Sequence, residues 1–283
     1  MRWEGGRRSD NVEDYRGSRF GGGGLKLGVG GTLIALVAAY FFGIDPRVIL
    51  GLAETAGSGN SGPDQPAQVG APSDPVGQFV SVVLADTEDT WTAIFQAAGR
   101  QYVPPKLDLF TSQVNTGCGF ADSGAGPFYC PADSKVYLDP SFFQELQTRF
   151  QAPGDFAQAY VIAHEVGHHV QNLLGTEAKV RSAQQNASEV ERNQLQVRME
   201  LQADCYAGVW AHNADRARQI IEQGDVEEAL GAASAVGDDT IQRRTRGHVV
   251  PDSFTHGSAK QRMEWFKRGL DSGDVGNCDT FAR

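Results

Sequence analysis

Basic residues are in short supply. Twenty-five Lys and Arg face 35 Asp and Glu, a formal net charge of −10 over 283 residues. An acidic body repels phosphate, which argues against nucleic acid as a partner. Cysteine is scarce too: Cys118, Cys130, Cys205 and Cys278 are the whole set. No two of them are spaced C-x-x-C, which argues against a cysteine-held metal. Four thiols fit an oxidising compartment. Cys118 and Cys130 flank a glycine-rich loop and are paired here, which leaves Cys205 with Cys278. Four cysteines allow three connectivities, and the spacing leaves the other two open. No internal repeat is present.

Long uncharged runs are few, but Leu27 to Ile44 is one. Eighteen residues at 1.5 Å each cover about 27 Å, near the thickness of a bilayer core. Ahead of its middle stand Arg2, Arg7, Arg8, Arg16, Arg19 and Lys26, against Glu4, Asp10, Glu13 and Asp14. The positive-inside rule then puts the N-terminus in the cytoplasm and the body outside. The run is read as an uncleaved anchor. A cleaved signal peptide is the rival; it usually has a shorter apolar region, and no small-x-small site follows Phe42. A buried core helix is the third reading. The chain divides accordingly into a disordered cytoplasmic tail (1–24), a transmembrane helix (25–44), a flexible Gly/Ser/Pro/Ala linker (45–75) and a folded domain (76–283). The expected location is the cell membrane, single-pass, with the folded domain extracytoplasmic.

The chemistry is concentrated in His164-Glu165-Val166-Gly167-His168, an H-E-x-x-H pattern. Apolar residues at Phe156, Ala159, Tyr160, Ala163, Val166, Val170 and Leu173 predict a helix here, opened by Asp155 and stopped by Gly175. Two imidazoles four apart on a helix point the same way and reach one Zn²⁺. Glu165 stands where a general base would. Gly167 costs roughly 1 kcal/mol inside a helix, which calls for a reason such as the close approach of another backbone. A second helix, opened by a Ser188/Glu191 capping box, carries Glu200 and Asp204 on one face. Glu200 is assigned as the third ligand and Asp204 as the outer carboxylate that accepts the free N–H of a ligand histidine. The opposite assignment of the two stays open. A solvated charged helix face is the plainer reading of that pair. His169 points about 100° away from His168 and is read as packing or hydrogen-bonding.

HEVGHH followed by ELQADCYAGVW resembles the neutral zinc metallopeptidase family of bacteria, a membrane-anchored group with a zincin-like site. The likeness runs over roughly 76–283. It includes Cys118-Gly119-Phe120, Gly126 to Pro131, Lys135 to Asp139 and Thr255-His256-Gly257-Ser258. It implies a peptidase of the H-E-x-x-H, gluzincin-like kind that uses one zinc ion and a peptide or protein substrate.

Strands are expected over Lys106–Phe110, Phe128–Tyr129 and Lys135–Leu138, the last either a core strand or an edge able to pair with an extended peptide. Helices are expected from Val76 to about Gly99, after Ser141, after Asp225 to about Val236, and after a Ser258/Gln261 capping box. The fold class is α+β, zincin-like, mostly helical with a small sheet, behind one transmembrane helix. In the expected mechanism Glu165 shuttles the proton, and His256 stabilises the oxyanion, with His248 and Tyr206 as rivals and a surface loop as the plainer reading of His256. His212 is read as structural or exposed. Two other functions remain: a non-catalytic, membrane-tethered zinc protein that binds or scaffolds, and a zinc amidohydrolase of the cell envelope.

Overall fold

The computed structural model of the protein describes residues 1–17, 68–69 and 72–282. In chain order the elements are β1 (Val12–Asp14), β2 (Gln68–Val69), α1 (Pro75–Ala97), β3 (Lys106–Leu109), β4 (Gln113–Thr116), β5 (Gly119–Asp122), β6 (Phe128–Cys130), β7 (Lys135–Leu138) and α2 (Ser141–Thr148). There follow α3 (Asp155–Leu174), α4 (Thr176–Gln184), α5 (Glu189–Arg218), α6 (Asp225–Ala235), α7 (Asp238–Arg246) and α8 (Ala259–Ser272).

Five short strands form a sheet in the order β2-β1-β3-β7-β6, with β1, β3 and β7 parallel and the two outermost strands antiparallel to their neighbours. The period of two divides the strands cleanly. Val12, Leu107, Leu109, Val136 and Leu138 point into the main core. On the other face Lys135 bonds both Glu13 and Asp108, and Lys106 bonds Glu13 as well. Helices α1, α3, α5, α6 and α8 supply most of the apolar core.

The α+β, mostly helical part of the expectation stands, but the membrane topology does not. Residues 1–17 belong to the body. β1 is hydrogen-bonded to β3 in register, Val12 opposite Leu107 and Asp14 opposite Leu109. Arg16 bonds both Asp14 and Asp74. Met1 is buried, with its amino nitrogen 2.6 Å from Asp155 Oδ1 at the start of α3. One membrane crossing between residues 17 and 72 would place β1 and β3 on opposite sides of a bilayer, and hydrogen-bonded neighbours cannot be separated so. The single-pass topology with a cytoplasmic N-terminus and an extracytoplasmic body is therefore overturned. With it goes the disordered tail, as far as Gly17. Among the described residues no helix is long and apolar enough to cross a membrane. The 25–44 span lies outside the described residues, as does the linker up to residue 71 except for β2.

Three local readings also change. β7 is flanked by β3 and β6, so it is not an edge; the edge strand nearest α3 is β6. Asp155 and Asp225 are the first residues of α3 and α6 and not their caps, since Gly154 and Gly224 occupy the N-cap positions. Glu228 of α6 takes over the capping task for α3, accepting the Phe156 N–H at 3.1 Å. Ser141 likewise begins α2 after Pro140. The capping boxes at Ser188/Glu191 and Ser258/Gln261 are both present.

Glycine sets how closely the helices cross. A Cβ on Gly167 would lie 2.9 Å from Ala203 O, so α3 meets the backbone of α5 there. At the α5–α8 crossing a Cβ on Gly208 would lie 2.1 Å from Phe266 O, and one on Gly269 would lie 2.0 Å from Cys205 O. Gly208→Ala should therefore cost about 3 kcal/mol, the upper end for overpacking, because the obstacle is backbone and cannot rotate away. Urea unfolding should show the midpoint falling at constant slope. The disulfides are Cys118–Cys130 and Cys205–Cys278; the second joins α5 to the segment after α8.

Candidate metal centre

α3 and α5 cross with His164, Glu165 and His168 facing Glu200 and Asp204. His164, His168 and Glu200 each offer one ligand atom, and the three atoms lie within 4.8 Å of one another. Glu200 Oε2 is 3.2 Å from His164 Nε2 and 3.6 Å from His168 Nε2. Both imidazoles are bound from behind. His164 Nδ1–H donates to Asp204 Oδ1 at 2.8 Å, and His168 Nδ1 lies 2.9 Å from Gln171 Oε1. When the ring is neutral, as metal binding requires, Asp204 holds the His164 proton on Nδ1 and leaves Nε2 as a lone-pair donor facing the cluster.

Asp204 is fully buried and accepts four hydrogen bonds. Besides His164 they come from the Tyr160 hydroxyl at 2.5 Å and from Arg262, through Nε at 2.8 Å and Nη2 at 2.9 Å. Burial opposes its ionisation, but Arg262 and His164 outweigh it and hold the carboxyl at about 2. Burial likewise opposes charge on Glu200, and the two imidazoles again win, keeping it well below the usual carboxylate range. For His164, burial is outweighed by Asp204 and Glu200, and its pKa rises to about 10. His168 moves the same way under Glu200.

Glu165 behaves differently. It is 7% exposed, and burial pushes its carboxyl up from the ordinary value. Among the described residues it has no hydrogen-bond or ion-pair partner, although its neighbours on α3 are the two imidazoles.

A model of the family described as "Putative neutral zinc metallopeptidase" matches residues 1–281. The chain belongs to this family. The family match includes β1 and the first strand pairings, so the family domain extends well ahead of residue 76. "Uncharacterized protein YpfJ" of Escherichia coli K12 is 51% identical over 291 positions, covering all of this chain and 99% of the relative. "Uncharacterized protein Mb2605" of Mycobacterium bovis and "Uncharacterized protein Rv2575" of Mycobacterium tuberculosis H37Rv are each 45% identical over 215 positions, 72% of either chain. No solved structure matches.

The metallopeptidase family name implies zinc, and the residues present suit it. Two imidazole nitrogens and one carboxylate oxygen are a zinc donor set. The charges agree. With both imidazoles neutral, as metal binding requires, Glu165, Glu200 and Asp204 face the buried Arg262, an excess of two negative charges that one divalent ion balances. A second acidic group, Asp155, Asp225 and Glu228, differs in kind, because the Met1 amino group already sits among it.

The remaining site candidates fall further out. His256 is exposed and stands outside the donor cluster. Its loop is pinned by Asp238 Oδ2, which accepts the backbone N–H groups of Thr255, His256 and Gly257 at 2.8, 2.6 and 2.9 Å. The protein around His256 still strips some water from the ring and opposes its charge, but Asp238 and the field of Glu200 outweigh that and raise its pKa. His248 is exposed and bonds Arg246 O, whereas Tyr206 is buried in the core. His212 Nδ1 donates to Leu270 O. His169 donates to Val103 O and accepts from Tyr129.

Sequence reasoning missed Arg262, Tyr160 and Gln171. Arg262 shares the buried stripe of α8 with Phe266 and Gly269, and a cation on an apolar stripe was the available signal. Gln171 lies three residues beyond His168 and seven beyond His164, on the same stripe of α3.

Proposed function

We propose that the protein hydrolyses peptide bonds with one zinc ion per chain held by His164, His168 and Glu200. The observation that carries this reading is Glu165: a buried carboxylate with no hydrogen-bond or ion-pair partner among the described residues, beside three converging donor atoms. An unpartnered buried carboxylate costs stability, and chemistry is what that cost serves. A zinc ion bound there supplies Lewis acidity, polarising a carbonyl and bringing a water's pKa towards about 7. Glu165 takes the proton of the attacking water and returns it to the leaving amine. Its raised pKa strengthens it as a base for that task. Asp204 holds the His164 imidazole in the tautomer that presents Nε2. His256 is assigned the oxyanion. Its support is a loop fixed by Asp238 and a charge felt at Glu200, and a donor in that role is worth roughly 3–4 kcal/mol.

The test is metal analysis of the purified protein with casein hydrolysis measured before and after chelation. Glu200→Ala should lose the metal. Asp204→Ala should keep it but weaken binding by about 10–100-fold. An Asp204 variant that empties while the Glu200 variant stays loaded would reverse the ligand assignment. Zinc without turnover of any peptide would point to a binding protein, and release of a non-peptide amine to an amidohydrolase.

A further inference from the structure

A line of amides runs from the second histidine to the far end of the chain, and its polarity is fixed by backbone. Gln202 Nε2 lies 2.9 Å from Cys278 O, a carbonyl that can only accept, so the Gln202 NH₂ group faces it. That turns Gln202 Oε1 towards Gln171, whose Nε2 approaches it at 3.1 Å. The same Gln171 NH₂ group gives its other hydrogen to Met199 O at 2.8 Å, again an obligate acceptor. Gln171 Oε1 is then the only polar atom left to face His168 Nδ1, at 2.9 Å. Gln171 is fully buried and Gln202 nearly so, which keeps water from substituting for either amide.

We propose that Gln171, supported by Gln202, is a positioning residue that sets the His168 tautomer. An oxygen at Nδ1 forces the proton onto that nitrogen and frees Nε2 to bind metal. Had the amide faced the other way, its NH₂ would take the Nδ1 lone pair and put the proton on Nε2, the wrong atom. Two backbone carbonyls on α5 and after α8 forbid that flip. His164 meets the same requirement through a charged carboxylate, so the two imidazoles are held by different chemistry, one ionic and one neutral. The Cys205–Cys278 disulfide fixes the end of the line, since Cys278 supplies its terminal acceptor. The inference rests on the zinc reading above.

The test compares Gln171→Met with Gln171→Glu, titrating each with Zn²⁺ against a competing chelator. Methionine keeps the volume and loses the acceptor. Glutamate keeps the acceptor and loses both donated bonds. The positioning role predicts a 10–100-fold loss of Zn²⁺ affinity for Gln171→Met and a clearly smaller one for Gln171→Glu. A packing role predicts the reverse order, because methionine fits an apolar site and a buried carboxylate does not; that order overturns the proposal, as does wild-type affinity in the methionine variant. The wild-type chain loaded with Co²⁺ provides a second readout that needs no variant to fold. Its paramagnetically shifted NMR spectrum should show two slowly exchanging imidazole N–H signals, one from each histidine. A single such signal overturns the proposal. Failure of the wild-type chain to bind either metal would instead remove the zinc reading itself.

Discussion

Glu165→Gln should lose peptide hydrolysis by about 10²–10⁴-fold while zinc stays near one per chain. The substitution keeps the shape of the side chain and removes its capacity to accept a proton. Metal retention is expected because Glu165 stands outside the donor group of His164, His168 and Glu200. Nothing else in the fold leans on this carboxylate: it accepts no hydrogen bond from a described residue, so the amide strands no donor. Thermal stability should hold or rise slightly, since a buried negative charge has been removed from a cluster that carries three. The measurement is turnover of a quenched fluorescent peptide alongside metal content and melting temperature. Unchanged turnover would assign the proton transfer to another group. Lost turnover with lost metal would make Glu165 part of the metal site.

How much of this was legible beforehand depended on whether a feature is local. The α3 and α5 helices and the two capping boxes follow from patterns within a few residues, and so does the cost of Gly167, although not that Ala203 is what approaches it. The spacing of Glu200 and Asp204 on one face of α5 told that both meet α3, although not which carboxylate faces Nε2 and which Nδ1. What failed was non-local. β1 is three residues long, and its partner lies more than ninety positions away, so nothing in Val12-Glu13-Asp14 marks it as a strand in the main sheet. A charged, glycine-rich stretch followed by an uncharged run has the one-dimensional signature of a tail and an anchor. The pairing of β1 with β3, and of β1 with Gln68–Val69, rules out that topology, and only three-dimensional contacts show it. The strand Lys135–Leu138 was visible, but its place inside the sheet follows from which strands flank it.

Arg262→Leu should destabilise the protein by about 3–5 kcal/mol, the usual result of stripping the partner from a buried charge. For a body of this size that is a fall in melting temperature of roughly 6–20 °C. Arg262 is 4% exposed and makes both of its charged hydrogen bonds to Asp204, which is itself fully buried. Removing it leaves a carboxylate that water cannot reach, still bonded to Tyr160 and His164. Arg262→Lys should fall between, since it retains the charge but loses the two-pronged geometry. The loss should depend on pH with a definite sign. Asp204 is held at about 2 in the folded chain against an ordinary 3.8, so its ionised form stabilises the fold above about pH 4, and that contribution disappears as pH falls towards 2. In the leucine variant the share of that depression due to Arg262 is gone, while the share due to His164 remains, and the stabilising contribution shrinks accordingly. The gap between wild type and variant, measured by urea unfolding of chelator-treated protein, should be full above pH 4 and shrink below it. A gap that is flat with pH would mean that Arg262 acts through its packing against α3 and α5 rather than through Asp204. The same variant should bind zinc more weakly, because Asp204 without the guanidinium is a less firmly held acceptor for the His164 Nδ1–H. Weaker metal binding and lost acid-range stability should therefore appear together in one protein.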